Sequence, residues 1–200
     1  LDAIYVEQDF IKENVGSQDQ TAAAFGGLNK IDFGGERKIF VQPITIGQEK
    51  LDLLQNHLML FFTGFSRDAS EIAGEQIKQT PSKDKELRIM RGMVDEAINI
   101  LNSDSDKIED FGKLLHESWK IKRSLTNRIS NSQIDSIYET GLRAGALGGK
   151  LCGAGGGGFI LFFVPSEKQE NVKNSLKLLH VPFRFENLGS QIILHNNYES

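Results

Sequence analysis

Apolar residues in the opening stretch LDAIYVEQDFIKEN recur at three- and four-residue spacing, through Leu1, Ile4, Tyr5 and Ile11, and predict a helix. NVGS then supplies turn chemistry, and QDQTAAAFGG reads as a short alanine-rich helix closed by Gly26 and Gly27. Two strand candidates follow, KIFVQPITI and HLMLFFTGF, the second apolar enough to be buried on both faces. Pro43 lacks an amide donor, so the first belongs at a sheet edge.

From Asp84 to Leu147 the period becomes helical. LRIMRGMVDEAINIL lines up Met90, Val94, Ile98 and Leu101; KIEDFGKLLHESW lines up Ile108, Phe111, Leu115 and Trp119. A third helix is predicted to start at an Asn131 cap, with Ile134, Ile137 and Leu142 on one side. A glycine cluster and the strand FILFFV come next. Ser166 and Gln169 then have the spacing of a capping box, opening a helix with Val172, Leu176 and Leu179. Strands around VPFRFE and SQIILH close the chain. Strands early and late around a helical middle predict an α+β fold, helices packed on an antiparallel sheet.

Composition narrows the function classes. The 200 residues are 39% hydrophobic and 25% charged, and no apolar run approaches the eighteen or so residues of a membrane span. The formal net charge of -4 argues against a protein built to bind nucleic acid or acidic membranes. One cysteine, Cys152, cannot form an internal disulfide, and no leader pattern opens the sequence, so the expected compartment is the cytoplasm. Residue 1 is Leu and the helical pattern begins at once, which suggests that further sequence lies upstream.

Three stretches carry candidate chemistry. In GGKLCGAGGGGFILFF the glycines precede a strand, and Lys150 precedes the glycines, so neither a Walker loop nor a dinucleotide fingerprint fits; both need the glycines to open a helix. A close-packed hairpin and a ligand-facing loop both remain open. In VEQDFIKENVGSQDQ, Glu7 and Asp19 would stand roughly 18 Å apart on an unbroken helix, too far to share a ligand. A turn at Asn14 to Ser17, with Gly16 as the breaker, would return Asp19 toward Glu7 in an arrangement that suits Mg²⁺ and a catalytic carboxylate. The plain alternative is a solvated acidic helix followed by a capping Asp. In HESWKIKRSLTNR, Lys120, Lys122, Arg123 and Arg128 form either a solvated face or a phosphate-binding one. His57, His116, His180 and His195 lack metal-ligand spacing, and Cys152 reads as a packing residue.

Together these stretches resemble the GHMP small-molecule kinases. GGKLCGAGGGGFILFF is similar to the glycine-rich motif of that family's C-terminal domain, and NVGSQDQTAAAFGG to the segment holding its catalytic aspartate. VGSQDQTAAAFGGLNKIDF, TGFSRDAS, LLHESWKIKRSLTNRISN and IDSIYETGLRAGALGGKLCGAGGGGFILFF resemble the bacterial heptose 7-phosphate kinases within it.

The resemblance implies a ferredoxin-like C-terminal domain over 51–200, with residues 1–50 the tail of an N-terminal domain. It implies ATP and Mg²⁺ as cofactors, Asp19 as the catalytic carboxylate and Glu7 as a magnesium ligand. Gly153, Gly155, Gly156 and Gly157 would lie at the cofactor, and Ser17, Gln18 and Gln20 beside the sugar. Arg67, Lys122, Arg123 and Arg143 are candidates to receive the sugar's 7-phosphate. The implied reaction moves the γ-phosphate of ATP to the anomeric hydroxyl of D-glycero-D-manno-heptose 7-phosphate.

The family's serine-rich ATP loop is not among these residues. The chain is therefore expected to be the C-terminal portion of a kinase, inactive alone, with an N-terminal kinase half as its partner and a small sugar phosphate as substrate. A kinase for an unphosphorylated sugar of fucose or galactose type, and a non-catalytic sugar-binding module, are the alternatives.

Overall fold

LMLFF and FILFF, the two most apolar runs, pair with each other. In the computed structural model, which describes residues 1–35, 38–65, 69–104 and 107–193, they form β3 (Leu58–Phe62) and β5 (Phe159–Phe163). The two are antiparallel, with Leu58 opposite Phe163 and Phe62 opposite Phe159. β4 (Gly148–Leu151) adds to the far side of β5 and β6 (Leu179–Val181) to the far side of β3, giving the order β4-β5-β3-β6. Between β3 and β4 run α4 (Ala69–Gln79), α5 (Asp84–Asn102), α6 (Ile108–Leu125) and α7 (Ser132–Ala144); α8 (Gln169–Leu176) connects β5 to β6. A helical excursion, a hairpin and a second helical crossover in this strand order make the ferredoxin-like arrangement expected from the sequence.

Side-chain alternation on the strands explains where the helices lie. Met59 and Phe61 are buried while Leu58, Leu60 and Phe62 are half-buried, so one sheet face is the drier. Trp119, Ile134, Tyr138 and Val172 from α6, α7 and α8 join Met59, Phe61, Ile160 and Phe162 in one core cluster. Gly112 and Gly141 bring α6 and α7 close to this layer: a Cβ on either would come within 2.6 Å of the ring of Phe163 or Phe162. Gly148 is tighter still, because a Cβ there would collide with the Gly112 carbonyl and reach within 2.7 Å of the His116 amide nitrogen. Burial pushes the Tyr138 phenol well above its ordinary value, and its oxygen meets His116 Nδ1 at 2.9 Å.

The Asn131 cap forms as expected: its Oδ1 accepts from the amides of Gln133 and Ile134 at 3.0 Å, and Gly145 ends α7 with φ +117°. Other expectations fail for identifiable reasons. Ser166 opens a 3-10 turn and no capping box closes. Gln169 Nε2 instead donates to the carbonyl of Asn56 at 2.6 Å. Of VPFRFE only Val181 is in a strand, because the ladder stops there and Pro182 has no N–H to continue it. Leu179, expected on a helix face, is in β6 and exposed, and residues 190–193 of SQIILH are irregular. The residue pattern does not announce α3 (Gln48–His57), α4, β4 or the strand over Asn29–Phe33.

The chain divides into two compact units. The sheet described above belongs to the larger, which comprises Glu13–Val15 and Ile46–Phe183. The smaller is made of Leu1–Lys12, Gly16–Thr45 and the segment from Arg184 onward. It holds α1 (Asp2–Tyr5), a π-helical turn over Val6–Phe10, α2 (Gln18–Phe25) and the hairpin of β1 (Asn29–Phe33) with β2 (Ile39–Pro43). Pro43 ends β2 in a two-stranded sheet, which has only edges. Of the opening apolar residues only Ile4 is buried; Leu1, Tyr5 and Ile11 are exposed. The returning segment ties to α2: Gly27 donates to Glu186 O and the Ser190 amide to Ala23 O, both at 2.8 Å. No helix among the described residues is long and apolar enough to cross a membrane.

Two stability measurements test this packing. Gly148→Ala should destabilise by about 2 kcal/mol or more through overpacking. Gly92→Ala, exposed mid-helix in α5 with open space where its Cβ would stand, should stabilise by about 0.5–1 kcal/mol. Urea denaturation of both variants gives the comparison. His180 packs against Phe61 with ring centroids 5.3 Å apart, and burial together with Lys173 holds its imidazole below the ordinary value. The unfolded chain therefore binds that proton more readily, so stability should fall as pH drops through about 6.5 and below. His180→Gln should flatten that part of a pH–stability curve; an unchanged slope would remove His180 as its source.

Candidate active site

The acidic stretch breaks earlier than the Asn14 to Ser17 turn expected from the sequence, with Lys12 and not Gly16 in the left-handed region. The π-helical turn ends at Phe10, Lys12 takes φ +64°, and α2 starts at Gln18. The reversal returns α2 to the first helix: Gln20 Nε2 donates to Glu7 Oε2, and Gln8 Nε2 to Ser17 Oγ at 3.4 Å. Asp19 lies exposed in the first turn of α2, its Oδ1 accepting from Gln18 Nε2 at 3.2 Å. A carboxylate there suits the positive end of the helix. Thr21, buried in the same turn, donates its hydroxyl to the Ser17 carbonyl at 2.6 Å. Glu7 and the 17–20 turn thus share one neighbourhood in the smaller unit.

That neighbourhood is rich in acceptors. Gln20 Oε1 is buried without a hydrogen-bond partner, in the same amide that holds Glu7. Among the described residues no three His, Cys, Asp or Glu side chains gather as a metal cluster. The half-buried Glu7 carboxylate alone suits a magnesium ion, which takes most of its coordination from water and phosphate oxygens.

In the larger unit the glycine run is the turn of the β4–β5 hairpin. Gly153, Gly155, Gly156 and Gly158 all have positive φ, from +73° to +127°. At Gly155 the need is double: φ is +127°, and a Cβ would stand 2.7 Å from the Ile129 carbonyl oxygen. The turn is held at many points. Gly156 donates to Ile129 O at 3.0 Å and Gly158 to Phe65 O at 2.8 Å. The Gly158 carbonyl accepts from both the amide and the hydroxyl of Thr63 at 2.8 Å. Gln76 Nε2 reaches Ala154 O at 2.6 Å, and Lys122 Nζ reaches Gly153 O at 2.8 Å.

The basic candidates separate. Lys122 lies at the glycine hairpin. Arg123 joins α6 to α7 through an ion pair with Asp135 at 2.7 Å, both about one-third exposed. Arg143 is exposed in the last turn of α7, where it donates to Thr140 Oγ1 at 3.1 Å. Arg67 lies outside the described residues. Sequence reasoning missed Thr63, Gln76 and Ile129 as anchors of the hairpin. Ile129 acts through its backbone, and Gln76 stands 78 positions from its acceptor, so neither leaves a local signal.

Residues 102–179, from the end of α5 to the start of β6, match the family described as GHMP kinases C terminal. The chain carries a GHMP kinase C-terminal domain. It is 34% identical over 165 residues to the D-glycero-alpha-D-manno-heptose 7-phosphate kinase of Campylobacter jejuni, an alignment spanning 81% of this chain and 48% of that protein. A galactokinase of Mycobacterium bovis is 26% identical over 207 residues, covering 86% of this chain and 54% of the relative. Among solved structures, a D-glycero-D-manno-heptose 1-phosphate kinase from Bacteriodes thetaiotaomicron superposes with a TM-score of 0.61 at 25% identity, over 94% of this chain and 51% of that one. The chain spans about half the length of the relatives it matches.

In this GHMP kinase domain, Arg123 and Arg143 should respond differently to charge removal. Arg123→Met should lower stability by about 0.5–1 kcal/mol, as for a partly exposed pair joining two helices, and Arg143→Met should stay within about 0.5 kcal/mol of the parent. Thermal denaturation of the two variants checks the split.

Proposed function

We propose that the protein is a cytoplasmic, ATP-dependent sugar kinase that phosphorylates the anomeric hydroxyl of D-glycero-D-manno-heptose 7-phosphate. The observation that carries this reading is the Glu7–Gln20 contact, which sets a half-buried carboxylate beside the turn bearing Asp19. The likeness to the Campylobacter heptose 7-phosphate kinase supports the substrate, and the glycine hairpin supports a phosphate-bearing ligand. The relatives' greater length accommodates an N-terminal half carrying the ATP loop, so the activity is proposed for the whole protein.

Asp19 accepts the proton of the anomeric hydroxyl as its oxygen attacks the γ-phosphorus. The bond from phosphorus to the β–γ bridging oxygen breaks, and ADP leaves. Asp19 is exposed at the start of α2 and so open to a bound sugar. Ser17, Gln18 and Gln20 surround it with donors and acceptors that orient the sugar hydroxyls. Glu7 would hold Mg²⁺, which when bound would neutralise phosphate charge. The backbone of Gly153, Gly155, Gly156 and Gly157 is free of side chains and would leave room for a phosphate-bearing ligand. Among the basic candidates, Arg143 is the exposed one to test for the 7-phosphate, since Arg123 is engaged with Asp135.

A kinase for an unphosphorylated sugar is the second reading, favoured by the galactokinase likeness. Assaying the whole protein with heptose 7-phosphate, fucose and galactose separates the two: a higher kcat/KM for the plain sugars would overturn the phosphorylated substrate. Asp19→Asn should lower kcat by about 10²–10⁴ while the sugar KM stays within about threefold. Turnover near the parent level would remove Asp19 from the role.

A further inference from the structure

Two side chains from different helices hold adjacent carbonyls of the glycine hairpin. Lys122, on α6, donates to Gly153 O at 2.8 Å, and Gln76, on α4, donates to Ala154 O at 2.6 Å. Glycines flank both points with φ of +73° and +127°, in a stretch where the backbone has many alternatives of similar energy. A hydrogen bond to a carbonyl does more than tether such a loop. The peptide unit is planar and trans, so fixing the direction of one C=O fixes the opposite direction of the following N–H. Holding the carbonyls of Gly153 and Ala154 therefore aims the amides of Ala154 and Gly155. Neither amide donates to any described residue, whereas the amides of Gly156 and Gly158 are both bonded within the fold.

We propose that Gln76 and Lys122 form a two-point clamp that orients the peptide units of residues 153–155, and so act as positioning residues for the phosphotransfer reaction. The anchors farther along the turn, Ile129, Phe65 and Thr63, bond residues 156 and 158 and leave this tip to the two side chains. The lysine bond is charge-assisted and the stronger of the two. Lys122 thereby serves the hairpin's backbone, a different task from receiving the sugar's 7-phosphate. Gln76 contributes a neutral donor of fixed length from a helix that supplies no other candidate site residue. The role rests on the kinase reading given above, and the geometry of the clamp does not.

Gln76→Met and Lys122→Met in the whole protein test it with two separate readouts. Backbone ¹⁵N order parameters of Ala154 and Gly155 should fall in both variants while the melting temperature moves little. In the same proteins kcat/KM should fall about tenfold, and Lys122→Arg, which keeps a donor, should recover most of that loss. Gly156 and Gly158, whose amides are bonded to Ile129 and Phe65, should keep their order parameters, which localises the effect to the tip. Unchanged order parameters at Ala154 and Gly155 would overturn the clamp. Lower order parameters with unaltered kinetics would overturn the positioning role. A parent protein that phosphorylates no sugar would refute the kinase reading and the positioning role with it, and the relaxation measurement would still decide whether the clamp exists.

Discussion

The antiparallel pairing of β3 with β5 is the constraint on which the larger unit depends. It joins residues near position 60 to residues near position 160, and every other element of that unit is placed by it. β6 can add only to the open side of β3 and β4 only to the open side of β5. The segment between β3 and β4 must cover one face, and its α6 and α7 do so with apolar stripes that join Phe61, Ile160 and Phe162 in one cluster. The glycine turn inherits its location from the same pair, being the loop that returns β4 to β5. Phe65 and Thr63, just beyond the end of β3, reach the turn because β3 lies beside β5.

Glycine's conformational freedom works in two opposite ways here. At Gly148 and Gly112 the missing side chain lets a helix backbone and a strand backbone touch, which rigidifies the fold. At the hairpin tip the same absence permits positive φ, and rigidity has to come from outside, through bonds to backbone and side-chain groups of several elements. A bare backbone surface is thus kept in one shape by side chains from other elements.

The amino-acid pattern reveals the elements whose signals are local. LMLFF, FILFF, the Asn131 cap and the periodic faces of α5 to α7 are all legible because side-chain spacing or one capping residue defines them. β4 is not, since GGKL has two glycines and no alternating face; it is a strand because β5 offers it a ladder. α3 is obscured because it runs straight into β3, with no turn residue between His57 and Leu58. VPFRFE has the composition of a strand and is stopped by one missing amide at Pro182. In the candidate site, a reversal between Glu7 and Asp19 is visible from the polar run, but it begins at Lys12, which takes the left-handed conformation expected of Gly16. The side chain that meets Glu7 is Gln20, one position beyond the carboxylate, a detail that only the three-dimensional path of the turn decides.

The smaller unit is assembled from both ends of the sequence, with the segment from Arg184 onward bonded to Gly27 and Ala23. The larger unit is therefore an insertion, complete by Phe183. On a ribosome, the larger unit can finish folding before the segment from Arg184 onward emerges, while α2 and the β1–β2 hairpin wait for that segment. Glu7 and Asp19 thus precede the larger unit in translation and belong to a unit that closes after it.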